Sequence, residues 1–162
     1  MKLIAAVDKN WAIGRKNRLL TSIPADMRFF KETTTGNVVV MGRKTLESFP
    51  GGRPLKDRVN IVLTRREQYD AHGAIVISDI PSLMKELDTY REREIFVIGG
   101  ESIYQALLAY CETAYITKID YAFEADAWFP DLDADPAWEM VQAGEEETYF
   151  DLCYCFTVYQ RK

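Results

Sequence analysis

The sequence predicts an α/β fold: a single domain over residues 1–162, with a mostly parallel central β-sheet, an antiparallel C-terminal edge strand and about four flanking helices. Three observations predict it. Short runs rich in Val and Ile recur through the first two-thirds of the chain. They are continuous rather than alternating, as in parallel strands covered on both faces. Helix-patterned segments separate them, whereas the last third alternates more and contains an acidic, Pro-bearing stretch.

The elements follow in order. "KLIAAV" (2–7) reads as the first buried strand. "WAIGRKNRLLTSIP" (11–24) has turn residues at Gly14 and Asn17 and no clear periodicity, which fits either a binding loop or a plain surface connection. A helix over 24–35 starts with Pro24, suited to the first helical position, with Ser22 or Ile23 as its cap. "VVVMG" (38–42), "NIVLT" (60–64), "AIVIS" (74–78) and "EIFVIGG" (94–100) read as further buried strands, with helices at 44–49, 80–88 and 102–110. The helix at 80–88 has Ser78 or Asp79 as cap and a proline in its first turn. "AYITKID" (114–120) and "CYCFTVYQRK" (153–162) fit strands joined to a sheet edge.

Composition narrows the function. With 48% hydrophobic and 28% charged residues, 162 residues can bury a core without staples. A net charge of −5 argues against nucleic-acid partners, which require a basic face, but permits a small anion at a local basic site. An odd number of cysteines (Cys111, Cys153 and Cys155) favours free thiols in a reducing compartment. The one histidine, His72, lies in the loop-like "DAHG", which disfavours a histidine metal site or a Ser-His-Asp triad, so no metal is expected. The opening apolar run is too short to span a membrane and carries no cleavage-site pattern. A cytoplasmic protein without membrane partners is therefore expected.

In open α/β sheets, ligands bind beyond the carboxyl ends of the strands. Three such ends carry chemistry: "GRKT" (42–45), "TRR" (64–66) and "GGES" (99–102). Each alone also fits a basic surface loop or a tight turn. The fold would bring all three to one sheet edge, which points to a ligand with several phosphates. Neither G-x-G-x-x-G nor G-x-x-x-x-G-K-[ST] occurs. "IPADMRFFK" (23–31) adds Asp26, at helical spacing from Phe29 and Phe30. It is either a helix-start acid or a desolvated carboxyl able to handle a proton near neutral pH.

Taken together, "LIAAV", "AIG", "IPADMRFFK", "VVVMGRKTLES", "GRPL", "NIVLT", "IFVIGGESIY", "YITKID" and "DAWFPD" resemble the dihydrofolate reductase family, in order and approximate spacing, essentially end to end. The resemblance implies reduction of 7,8-dihydrofolate with NADPH, by hydride transfer to C6 and protonation at N5. Asp26 matches the family's active-site acid, Thr117 the threonine that supports it, and Tyr104 the tyrosine near the nicotinamide. Phe30 matches the aromatic residue packing on the pterin, with Ile4, Ala5 and Ile98 lining the pterin and nicotinamide region. Met27, Phe49 and Leu55 match the wall around the benzoyl group, and Arg58 the arginine that pairs with the glutamate carboxylate. Arg43, Lys44 and Thr45 match the phosphate-binding helix start, and Thr64 and Arg65 the grip on the 2′-phosphate, which favours NADPH over NADH. Gly99 and Gly100 match a Gly-Gly pair usually joined by a cis peptide. Ala6, Ile13, Gly14, Gly42, Leu63, Glu101, Ser102 and Ile103 complete the implied cofactor contacts, and residues 8–23 match a mobile loop. A monomer binding a small substrate, and possible antifolate inhibitors, is implied.

The chain departs from the family pattern at Leu20 and Thr21, where bacterial members commonly have Pro-Trp, and at Ser102 and Ala125, where arginine and glycine are common. "FPGGRPL" carries about two extra residues. Two other readings fit the residues: a riboflavin-pathway type of pterin or pyrimidine reductase on the same fold, and a non-catalytic nucleotide-binding module. Asp26, Phe30 and Arg58 favour folate over the first, and a carboxylate inside the pocket is not needed by the second.

Overall fold

A computed structural model describes residues 1–162. The chain runs β1 (Lys2–Val7), β2 (Ala12–Arg15), β3 (Arg18–Leu19), α1 (Pro24–Thr34), β4 (Val38–Gly42), α2 (Arg43–Ser48), β5 (Val59–Leu63), β6 (Ile75–Ile77), α3 (Ile80–Leu87), β7 (Ile95–Gly99), α4 (Glu101–Leu107), β8 (Thr113–Ile119), β9 (Ala127–Trp128), β10 (Trp138–Ala143), β11 (Glu147–Tyr149) and β12 (Leu152–Arg161). The main sheet has the order β10-β12-β8-β1-β7-β4-β5-β6, with β11 paired to β12. From β8 to β6 every pairing is parallel. β12 runs antiparallel to β8, as the alternating last third predicts. The edge extends one strand further, because β10 pairs outside β12. The sequence reading left β10 and β11 inside the acidic connection: β10 is exposed along almost its whole length and lacks a buried stripe.

The Val-rich strands are continuous because helices cover both faces. In β4, Val38 and Val40 join Leu83 and Leu87 of α3 and Tyr104 and Leu107 of α4 on one face. Val39 and Met41 face the other way, with Leu46 of α2 and Phe29 and Phe30 of α1. Val38 to Met41 are all fully buried, and each such side chain contributes about 1.5–3 kcal/mol through the apolar area it removes from water. Asp79 caps α3 by accepting from the Ser82 backbone N–H at 2.7 Å. Helix α4 ends three residues earlier than its pattern suggests, continuing as a 3-10 turn over Leu108–Tyr110. The extra residues in "FPGGRPL" form another, Pro50–Gly52, in which Gly51 and Gly52 have positive φ. No helix is long and apolar enough to cross a membrane.

The segment over 11–24 is more ordered than its irregular sequence indicates. β2 pairs with β3 and with β9, making a small three-stranded sheet that we call the flap. It rests on Asp8 at the end of β1, which is 1% exposed and accepts from the backbone N–H groups of Asn10, Ala12 and Phe123 at 2.8–2.9 Å. The sequence reading missed Asp8. Its one signal was an acid followed by turn-forming residues at a strand end, where such side chains cap the backbone.

Candidate active site

The position of Asp26 is set by how α1 begins. Ile23, not Ser22, is the N-cap residue, and its side chain makes no capping hydrogen bond. It is 2% exposed and packs on Ile119 and Tyr154. That apolar anchor docks the first turn against the end of β8. Asp26 then meets Thr117, a buried β8 residue in register with Ala6 of β1 and Phe156 of β12. The Thr117 hydroxyl donates to Asp26 Oδ1 at 2.7 Å. Phe29 packs on Phe156, with ring centroids 5.0 Å apart, and edge-on to Tyr115. Burial pushes the Asp26 carboxyl above the ordinary aspartate range, and the Thr117 hydrogen bond only partly opposes it.

Tyr104 of α4 is 3% exposed and donates its hydroxyl proton to the carbonyl of Ile4 at 2.7 Å. Burial, with Asp26 as a lesser cause, raises its phenol far above the usual range, so the proton stays. The hydrogen bond ties α4 to the middle of β1. Ile4, Phe30, Phe49, Leu55 and Ile98 belong to one apolar cluster with Leu46 and Val62, and Ala5 packs on the opposite core face. Met27 lies at the outer edge, 43% exposed.

Arg58 is half-buried and makes no ion pair within the chain. Its Nε donates to the Lys56 carbonyl at 2.8 Å and its Nη1 to Thr34 Oγ1 at 3.1 Å. It borders an open recess of ≈ 600 Å³ with Arg53 and His72 also on its walls. His72, a loop residue by its sequence context, thus lies beside Arg58.

The ends of β4, β5 and β7 lie side by side because the three strands are parallel neighbours, and we call the surface they line the groove. Gly42 and Gly99 are there for space. A Cβ on Gly42 would stand 2.9 Å from Ile103 Cγ1, and one on Gly99 3.3 Å from Thr45 Oγ1. Gly99 also has φ +133°, and its peptide to Gly100 is cis. Lys44 and Arg65 are exposed, while Thr64 is half-buried and its hydroxyl accepts from the Arg66 backbone N–H at 3.2 Å. Arg43 is already engaged: its Nη1 donates to both oxygens of Glu47, at 2.8 and 3.0 Å, and Glu47 also accepts from the Tyr69 hydroxyl. Arg43 pulls the Glu47 carboxyl below the usual range.

The flap joins this groove at two points. Asn17 Nδ2 donates to the Lys44 carbonyl at 2.9 Å, and the Trp128 N–H donates to Glu101 Oε1 at 2.7 Å. Gly14 sits in β2, where a Cβ would stand 2.8 Å from the Arg18 carbonyl. Ile13 is half-buried against the core. Ala6 packs beside Ile23, while Leu63 and Ile103 pack against the larger cluster and Ser102 is exposed. Asp126, which the sequence reading passed over, accepts from the Lys16 N–H at 2.9 Å and donates its own N–H to the Gly14 carbonyl at 3.0 Å.

The family model for dihydrofolate reductase matches residues 1–161. The chain belongs to the dihydrofolate reductase family. Among curated relatives it is 36% identical to the dihydrofolate reductase of Staphylococcus haemolyticus, over 99% of this chain and 95% of that one. It is also 36% identical to that of Bacillus subtilis, over 100% of this chain and 95% of the relative. A solved structure of dihydrofolate reductase from Enterococcus faecalis, complexed with NADP(H) and RAB-propyl, superposes with a TM-score of 0.88 at 33% identity, covering 99% of this chain and 95% of that one. Membership of the dihydrofolate reductase family makes this an oxidoreductase and accounts for the phosphate-suited strand ends without a Rossmann or P-loop motif. Against the family pattern, Thr21 is half-buried. Trp11 does not supply the missing ring: it is 6% exposed, stacks on Phe129 and meets Tyr159 edge-on in the core.

Proposed function

We propose that this chain reduces 7,8-dihydrofolate to 5,6,7,8-tetrahydrofolate with NADPH and that Asp26 promotes protonation at N5. The observation that carries the reading is the Asp26–Thr117 pair: a carboxyl held at 2.7 Å by a buried hydroxyl, in surroundings that raise its affinity for a proton. A carboxylate so placed holds the amino group and ring nitrogen of a pterin by two parallel hydrogen bonds. Its raised proton affinity moves it toward the range in which a carboxyl acts as a general acid. Phe30 and the apolar side chains around Ile4 and Ile98 exclude water from that ring. Arg58 receives the glutamate carboxylate on its free nitrogens.

The groove on the other side fits NADPH. Gly42, Gly99 and Gly100 clear the backbone for close approach, and Lys44, Thr45, Thr64 and Arg65 supply cationic and hydroxyl groups for its phosphates. When bound, NADPH supplies the hydride that C6 of dihydrofolate receives. The Tyr104–Ile4 hydrogen bond holds α4 and β1 at a fixed separation across that site, and the flap reaches its rim at Lys44 and Glu101.

The test follows NADPH absorbance with purified protein and dihydrofolate, beside Asp26→Asn and an NADH control. Oxidation that needs dihydrofolate, prefers NADPH and falls at least about 100-fold in the variant is expected. Equal turnover in Asp26→Asn would remove the acid from the mechanism.

A further inference from the structure

Three threonines end α1, and only one points inward. Thr35 is exposed and bonds back to the Lys31 carbonyl; Thr33 is half-buried; Thr34 is 0% exposed. The Thr34 hydroxyl has one proton, which goes to the carbonyl of Phe30 at 2.8 Å. Toward Arg58 it can therefore only accept, and Arg58 Nη1 donates to it at 3.1 Å. The second anchor is the Lys56 carbonyl on Nε. A guanidinium is planar, so contacts at two of its nitrogens fix the orientation of the whole fork. One Nη1 proton and both Nη2 protons stay free for a carboxylate.

We propose that Thr34 is a positioning residue for the substrate's tail: it aims Arg58 at the glutamate carboxylate and registers that end of the site to the pterin end. This rests on the reading above, in which Arg58 binds the glutamate. Asp26, Phe30 and Thr34 are spaced i, i+4, i+8 and so share one face of α1, spanning about 12 Å along its axis. The helix works as a ruler. Its first turn carries the acid for the pterin head, its middle the ring that packs on it, and its last turn the hydroxyl that sets the arginine. Because the Thr34 proton is held by the Phe30 carbonyl, the arginine is referenced to the same residue that packs on the pterin.

The test compares two substrates: dihydrofolate, and 6-methyl-7,8-dihydropterin, which lacks the benzoyl-glutamate. In Thr34→Val, KM for dihydrofolate is expected to rise about tenfold while KM for the methylpterin stays within about twofold. Thr34→Ser restores the hydroxyl and should return KM for dihydrofolate to within about twofold of the parent. Arg58→Leu is run alongside. If it raises KM for dihydrofolate and Thr34→Val does not, Thr34 has no positioning role while the Arg58 reading stands. If Arg58→Leu has no effect, the Arg58 reading fails and the positioning role fails with it. An equal rise for both substrates in Thr34→Val would show a purely structural role and overturn the proposal.

Discussion

The pocket around Asp26 and the flap at the rim of the groove are held by different means. Asp26 stands on the first turn of a helix pinned by the buried Ile23, and its partner Thr117 is 2% exposed in a strand paired on both sides. The base of the flap is anchored by the buried Asp8, but its far end is held from outside. The ties there are the Arg15–Glu124 ion pair, the Lys16 and Trp128 amides on Asp126 and Glu101, and Asn17 on the Lys44 carbonyl, all at exposed positions. Water competes for every one of those bonds, whereas it cannot reach Thr117. A site that must hold a proton in one geometry belongs on rigid elements. A segment that must let ligands pass belongs at the low-stability end of the molecule.

The sharpest way to break the comparison is to remove a group from each region. Asp26→Asn should lower turnover at least about 100-fold, because Asp26 is the carboxyl that Thr117 holds and Asn cannot give up a proton in its place. Asp126→Ala removes one acceptor from the flap and should cost about tenfold in kcat/KM for NADPH, since several other ties remain. Steady-state kinetics on both variants tests the ranking. A larger loss from Asp126→Ala than from Asp26→Asn would mean that closure, not the acid, dominates.

The two regions were also unequally legible. The sheet and Asp26 rest on continuous apolar runs and on a proline-started helix, which are local signals that tertiary structure reinforces. Residues 2–7 and 38–42 read as strands from the sequence and are strands in the fold. The partner of Asp26 lies 91 residues away, and no spacing rule links the two; only family resemblance pointed to Thr117. The flap was unreadable because β2, β3 and β9 are four, two and two residues long, too short for a period to show. Arg43 illustrates a different limit. Its type and place fit a phosphate, yet Glu47 four residues on already occupies one of its nitrogens, an i,i+4 pairing that helical spacing alone allows one to foresee.

Proton affinity offers a finer comparison inside the pocket. Burial raises the Asp26 carboxyl and the Thr117 hydrogen bond lowers it, because a donor stabilises the ionised form. Hydride transfer that depends on the acid should be fastest below the apparent pKa and fall as pH rises through it. Thr117→Val removes the lowering influence only, so the alkaline fall should move to higher pH. Single-turnover NADPH oxidation across a pH series, where chemistry limits, would show the displacement. A shift to lower pH would mean that Thr117 stabilises the protonated acid instead.

The smallest effect is expected at the most visible contact of the flap. Arg15 and Glu124 form an ion pair with side chains 44% and 82% exposed. Such pairs gain little Coulomb energy in water and lose side-chain entropy on forming. Glu124→Gln should change unfolding free energy by less than about 0.5 kcal/mol and kcat/KM by less than about twofold. Chemical denaturation and kinetics at low and at high salt would check it, since a pair that mattered would weaken with ionic strength. The contrast with Asp126 is then informative. Both residues are exposed acids of the same loop, but the Asp126 side chain accepts from the Lys16 N–H just past β2 while its own N–H donates to the Gly14 carbonyl in β2, so it supports the pairing of β2 with β9. Glu124 meets only a flexible side-chain end. A large salt-sensitive loss in Glu124→Gln would show that charge, rather than backbone pairing, holds the flap shut.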